Sequence, residues 1–196
     1  MAKFKTKSNS LRKLIFGINL TLDGCCDHTK GIANEEVHDY FTQLLHEVDT
    51  LVYGRITYQL MVPFWPDIAK SNSSTNKAMN HFAHAFNSVG KIVVFSKTLD
   101  RAEEKNTKIV STGLQKEILK LKQEPGKNIL VGGVDIPTQL IQLGLVDEYR
   151  FVVQPILAGQ GRRLLDGIDL QKKLKLKLVE SKIFKSGCAA LRYVKS

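Results

Sequence analysis

Apolar and polar positions along this chain switch repeatedly between a strand-like run and a helical period, and the switches predict its elements. Leu14–Leu22 is a short apolar run that reads as a first strand, ended by the turn pair Asp23-Gly24. From Asn34 the spacing changes. Val37, Tyr40, Phe41, Leu44, Leu45 and Val48 share one helical face, Asn34 is placed to cap the helix, and Glu35 and Glu36 suit its positive end. Thr50–Tyr53 reads as a second strand, followed by Gly54-Arg55 and by one or two helical turns over Ile56–Met61. Pro63–Ser74 holds two prolines and a Ser/Asn cluster, so it reads as loop.

Helical spacing returns at Met79, Phe82, Ala83 and Phe86. Lys91–Phe95 is a strand, Ser96–Asn106 a polar connection, and Lys108–Val110 a short strand. Leu114, Ile118 and Leu121 line one face of a helix over Leu114–Lys122. Asn128–Val131 is a buried-type strand ending at Gly132-Gly133, and Ile136, Leu140 and Leu143 mark a helix stopped by Gly144. Glu148–Val153 is a strand, Leu157–Gly167 is glycine-rich and irregular, and Leu174–Phe184 and Ala189–Lys195 form a hairpin around Ser186-Gly187. Strands alternating with helices and closed by a hairpin predict a three-layer α/β/α domain. Its sheet is largely parallel, with an antiparallel edge and helices on both faces.

The 196 residues suit one domain, read as 13–196 behind a flexible basic lead-in over 1–12. The formal net charge is +10, which raises nucleic acid or a membrane surface as partners. Its distribution argues against both. Residues 1–13 carry +5 and residues 171–196 carry +7, so 14–170 sum to −2. Lys173, Lys175 and Lys177 alternate with Leu174, Leu176 and Leu178, which reads as the solvent side of a strand. No apolar run is long enough to span a bilayer and none resembles a signal peptide, so a cytoplasmic location is expected. Cys25, Cys26 and Cys188 form no CxxC pair, and free, partly buried thiols are expected. His81 and His84 stand at i, i+3 without a third ligand, and no metal site is expected.

Ligands of open α/β sheets bind beyond the carboxyl ends of the strands. Three strand ends carry suggestive residues. Gly54-Arg55-Ile56-Thr57 offers a tight turn, helix N–H groups and a guanidinium for a phosphate. Ser96-Lys97-Thr98 offers hydroxyls and a cation. Gly132-Gly133 permits close backbone approach.

Taken in order, these blocks resemble the dihydrofolate reductase superfamily, and within it the riboflavin-biosynthesis reductase branch. The matching residues are Thr21-Leu22-Asp23-Gly24, Gly54-Arg55-Ile56-Thr57-Tyr58, Val94-Phe95-Ser96-Lys97-Thr98-Leu99 and Gly132-Gly133. They continue with Leu143-Gly144-Leu145-Val146-Asp147-Glu148-Tyr149 and Pro155-Ile156-Leu157-Ala158-Gly159-Gln160-Gly161. The resemblance implies NADPH as cofactor, with Arg55 at the adenosine 2′-phosphate, Thr57 at the pyrophosphate, and Ser96 and Lys97 near the adenosine phosphate. It places Gly132 and Gly133 against the cofactor, in relatives often through a cis peptide. Asp23 would border the nicotinamide and substrate, and Glu36, early in the first helix, would assist protonation. Arg162 and Arg163 would bind a substrate phosphate or serve as surface charges.

The implied activity is NADPH-dependent reduction of a pyrimidine- or pterin-type substrate, most specifically 5-amino-6-(5-phosphoribosylamino)uracil. The alternatives are dihydrofolate reduction and a non-catalytic binding protein that keeps the fold. No deaminase zinc motif of the HxE and PCxxC kind is present. Relatives commonly form homodimers, and the terminal hairpin makes a homodimer the expected partner.

Overall fold

In the computed structural model, residues 11–196 are described except 33, 73, 103, 169, 171 and 172. Eight strands form one sheet in the order β4-β3-β2-β5-β1-β6-β8-β7. The strands are β1 (Leu14–Thr21), β2 (Val48–Gly54), β3 (Lys91–Phe95), β4 (Thr107–Val110), β5 (Asn128–Val131), β6 (Glu148–Gln154), β7 (Leu176–Ile183) and β8 (Ala189–Lys195). β1 to β6 run parallel, with Phe16 opposite both Val131 and Tyr149. β8 pairs antiparallel with β6 and β7 antiparallel with β8, giving the expected hairpin edge.

The helices are α1 (Glu35–His46), α2 (Arg55–Met61), α3 (Phe64–Ser71), α4 (Lys77–Asn87), α5 (Leu114–Gln123) and α6 (Asp135–Gln142). Alternate residues of each strand point to opposite faces, so the sheet has two cores. Ile15, Leu51 and Val94 pack with Leu44 and Leu45 of α1 and with Phe82 and Phe86 of α4. Phe16, Val52 and Val93 pack with Ile118 and Leu121 of α5 and with Ile136 and Leu140 of α6. The architecture is the expected α/β/α sandwich.

Three expectations need correction. Pro63–Ser74 is not all loop, because α3 occupies most of it. Pro63 precedes the helix and Pro66 falls in its first turn, where backbone N–H groups have no intrahelical partner to lose. Trp65 of α3 meets Phe82 edge-on at 4.5 Å between ring centroids and donates Nε1–H to Met61 Sδ, so it is a packing residue.

The basic lead-in ends before Arg12. This residue is 7 % exposed, and its guanidinium donates to Lys127 O, Asp49 and Thr50 Oγ1, tying the start of β1 to that of β2. Residues 1–10 lie outside the described residues. Finally, the alternation of Lys and Leu in β7 does not separate a wet face from a dry one. β7 is the sheet's outer strand, Leu178 and Ile183 are themselves exposed, and a bulge at Val179 shifts the register.

At the start of β6, Glu148 is buried between cations. Its carboxylate accepts from Arg150 Nε at 2.5 Å and from Arg192 Nη2 at 3.1 Å, with Lys13 Nζ at 3.6 Å. Burial pushes its carboxyl up, but the hydrogen bonds from Arg150 and Arg192 outweigh it and hold it below the usual carboxylate range.

Candidate active site

Parallel alignment puts the carboxyl ends of β1, β2, β3, β5 and β6 at one end of the sheet, and the candidate residues gather there. The turn after β2 and the turn after β5 are in direct contact. Gly133 adopts φ 88°, a left-handed conformation that side chains resist, and Thr57 Oγ1 fills the space its Cβ would take. The preceding glycine, Gly132, lies against the Tyr53 ring, where a Cβ would approach Cε1 to 2.9 Å. Gly54 faces Ile136 of α6 in the same way at 3.3 Å. Among the described residues no peptide bond is cis, so the Gly132–Gly133 link is trans and the expected cis bond is not formed.

α1 and α4 have their first amides capped by Asn34 and Asn76. α2 and α6, which begin at the two glycine turns, have no side-chain cap, and α3 and α5 lack one too. The N–H groups of α2 and α6 are thus oriented toward the carboxyl end of the sheet and available to an anion. Arg55 is exposed, and Gln59 Oε1 accepts from its Nη1 at 2.9 Å. Ser96 Oγ accepts from the Thr98 and Leu99 amides at 3.1 and 2.9 Å, so it shapes the turn that carries the exposed Lys97.

On the other flank, Asp23 is a tie between two loops. Its carboxylate accepts from Thr21 Oγ1 at 2.5 Å, from Ala158 N at 3.1 Å and from Gly159 N at 2.9 Å. Arg163 adds Nε–H to Asp23 O at 3.0 Å and Nη2–H to Gly159 O at 3.3 Å. These donors, the Thr21 hydroxyl first, hold the Asp23 carboxyl far below the usual carboxylate range. Cys26 N donates to Arg162 O at 2.8 Å, and Leu164 N to Gly24 O at 3.2 Å, completing the seam. Gly161 is packed so tightly on Cys25 that a Cβ would sit 2.7 Å from Sγ. Arg162 reaches across to Asp135, the first residue of α6.

Glu36 is held at the turn between β7 and β8, beside the carboxyl end of β6. Its carboxylate accepts from the Lys185 and Ser186 amides at 3.0 and 2.9 Å, fastening α1 to the β7–β8 turn. Those amides lower its pKa, Ser186 first. A carboxylate so engaged clamps the hairpin turn to α1.

A cavity of about 450 Å³ lined by Pro66, Phe86, Ile92 and Asn106 opens at the amino end of β3. It is at the opposite end of the strands from these residues and has no share in the site.

Residues 12–190 match the family model of the RibD C-terminal domain. The chain belongs to that family. It is 31 % identical over 192 residues to the Bacillus subtilis protein YyaP, covering 96 % of this chain and 97 % of YyaP. Among solved structures it resembles a pyrimidine reductase-like protein of Corynebacterium diphtheriae. There the TM-score is 0.65 and the identity 15 %, with 100 % of this chain and 96 % of that one covered. It also resembles the dihydrofolate reductase of Enterococcus faecalis solved with NADP(H), at TM-score 0.61 and 14 % identity over 94 % of this chain and 96 % of that one. At such identities the solved structures establish a shared fold.

Within this RibD-type fold, the seam between residues 21–27 and 158–164 was not visible in sequence, since Asp23 and Arg163 are 140 positions apart. The one signal was the pairing of parallel neighbours: Thr21 and Gln154 end adjacent strands, so the segments after them must meet.

Proposed function

We propose that the chain is an NADPH-dependent reductase acting on a pyrimidine- or pterin-type heterocycle. The observation that carries this reading is the contact between the Gly54–Thr57 and Gly132–Gly133 turns at the carboxyl ends of β2 and β5. Family membership supports it. The residues present fit a dinucleotide: two helix starts without a side-chain cap, glycine turns that leave backbone bare, and an exposed Arg55 hydrogen-bonded to the neutral Gln59.

In this reading Arg55 grips the adenosine 2′-phosphate by charge-assisted hydrogen bonds, and the amides opening α2 and α6 receive the pyrophosphate. Gly132 and Gly133 let this turn lie directly on Tyr53 and Thr57, which buttress it from behind. Lys97 adds positive potential on the adenosine side. When bound, NADPH supplies the hydride. Asp23 holds the 158–163 segment beside the end of β1 and so shapes the substrate side. Asp23 and Glu36 each accept hydrogen bonds from fixed backbone amides.

The test is a thermal-shift titration with NADPH and NADH, followed by NADPH oxidation with 5-amino-6-(5-phosphoribosylamino)uracil and with dihydrofolate. At about 100 times its dissociation constant, NADPH adds roughly 2.7 kcal/mol of stability. No shift with either nucleotide at millimolar concentration overturns the reading and favours a binding protein that keeps the fold. A homodimer formed through the terminal hairpin is part of the same proposal, and light scattering on the eluting protein decides it.

A further inference from the structure

We propose that the substrate of this site is an unphosphorylated heterocycle with an apolar edge, bound against Leu22, Ile32 and Leu157. The proposal rests on the reductase reading above and specifies its substrate class.

The first observation is apolar. Leu22, Ile32 and Leu157 are 63 %, 60 % and 75 % exposed. They come from three segments and are held at the same strand ends. Leu22 N donates to Ile156 O at 2.9 Å, next to Leu157. Ile32 N donates at 2.6 Å to Oε1 of Gln154, the last residue of β6 and the partner of Thr21. Single exposed leucines are ordinary. Three held at the mouth of a candidate site, Leu22 and Ile32 through their own amides and Leu157 beside the bonded carbonyl of Ile156, offer apolar surface that gains from covering an apolar ligand.

The second observation is electrostatic. Among the described residues of 21–32 and 155–165 the cations are Lys30, Arg162 and Arg163. Arg162 forks onto Asp135 and Arg163 meets Asp23, so both guanidinium groups already face a carboxylate. A phosphate dianion would have to take Arg163 from three acceptors and leave Asp23, already anionic, beside it. Arg162 and Arg163 are therefore structural ties of the mouth and not a phosphate site.

The test uses the full chain and separates the two readings. NADPH binding is followed first by thermal shift, and its absence overturns the reductase reading alone. With NADPH present, turnover of 5-amino-6-(ribosylamino)uracil is compared with that of its 5′-phosphate. The expected result is a kcat/KM for the unphosphorylated compound equal to or above that of the phosphate, lowered about tenfold by Leu157→Asp while NADPH affinity is kept. A preference for the phosphate of about tenfold or more overturns the proposal. If neither compound is reduced or NADPH does not bind, ribose and ribose 5-phosphate are titrated while the side-chain NMR signals of Arg162 and Arg163 are followed. Equal, unsaturable shifts up to about 10 mM support it, and a saturable shift specific to ribose 5-phosphate overturns it.

Discussion

The hydroxyl of Thr57 occupies the place that a side chain on Gly133 would need, so the turn after β2 and the turn after β5 fit only because one of them is glycine. Gly133→Ala must both displace Thr57 and hold φ 88° with a Cβ, at a cost of about 1–3 kcal/mol. We expect it to abolish the thermal shift with NADPH. Adding Thr57→Gly relieves the clash but not the backbone strain, so the double variant should regain part of the lost stability in urea denaturation.

Arg55 is exposed and, among the described residues, donates to Gln59. Loss of a charged hydrogen-bond donor costs roughly 1.5–3 kcal/mol where it meets an anion. Arg55→Ala should weaken NADPH binding by about tenfold to a hundredfold in calorimetry and leave NADH binding nearly unchanged. Equal loss for both nucleotides would remove the 2′-phosphate from its assignment.

Asp23 ties the 158–163 segment to β1, and its pKa is lowered by the donors around it. A carboxylate with a depressed folded pKa stabilises above its unfolded value, and that contribution fades as pH falls through the folded one. The seam should therefore stay closed from neutral pH down to the ordinary carboxylate range and open only below it. Asp23→Asn should expose the Ala158 and Gly159 amides to hydrogen exchange already at neutral pH. Unchanged protection in the variant would show that Arg163 alone holds the loop.

His38 packs edge-on against Trp65 and Phe82 and donates Nδ1–H to Asn34 O at 3.0 Å. Burial lowers its pKa from the usual 6.5. The unfolded chain then binds this proton at a higher pH than the folded one, so stability falls as pH drops through and below 6.5. The melting temperature should decline from pH 7 to pH 5, with a shallower slope in His38→Gln.

Glu148 is the shared acceptor of Arg150 and Arg192 in a buried position. Removing its charge leaves both guanidinium groups facing each other across β6 and β8. Glu148→Gln should cost about 3–5 kcal/mol in urea denaturation. Glu180→Gln, at the exposed end of the same network, should cost less than about 1 kcal/mol.

The strands and most helices were legible because burial writes itself into the sequence as apolar runs and helical stripes. The glycine turns were legible as positions, since Gly54, Gly132 and Gly133 each stand where a strand must end. What lay hidden was polar and long-range. Arg12, Glu148 and Arg150 have the composition of a surface, and only tertiary pairing takes them inside. α3 was masked by its own prolines, which obstruct a helix anywhere but at its start. Glu36 stood where a helix-dipole charge or an acid catalyst would also stand, and only the amides of Lys185 and Ser186 distinguish a clamp from either.

The antiparallel return of β8 has a practical consequence. It brings Val194 back beside Glu148, where the parallel strands begin, and Ser196 N is bonded to Lys175 O at that same end. Arg12 stands there too, against Lys127 and Thr50. A label, linker or solid support attached at Ser196 thus hangs from the end of the sheet opposite the glycine turns. Tethered in this way, the protein presents its glycine turns and its leucine-rimmed mouth to the solution, and ligands can be screened on an immobilised film without the anchor in their path.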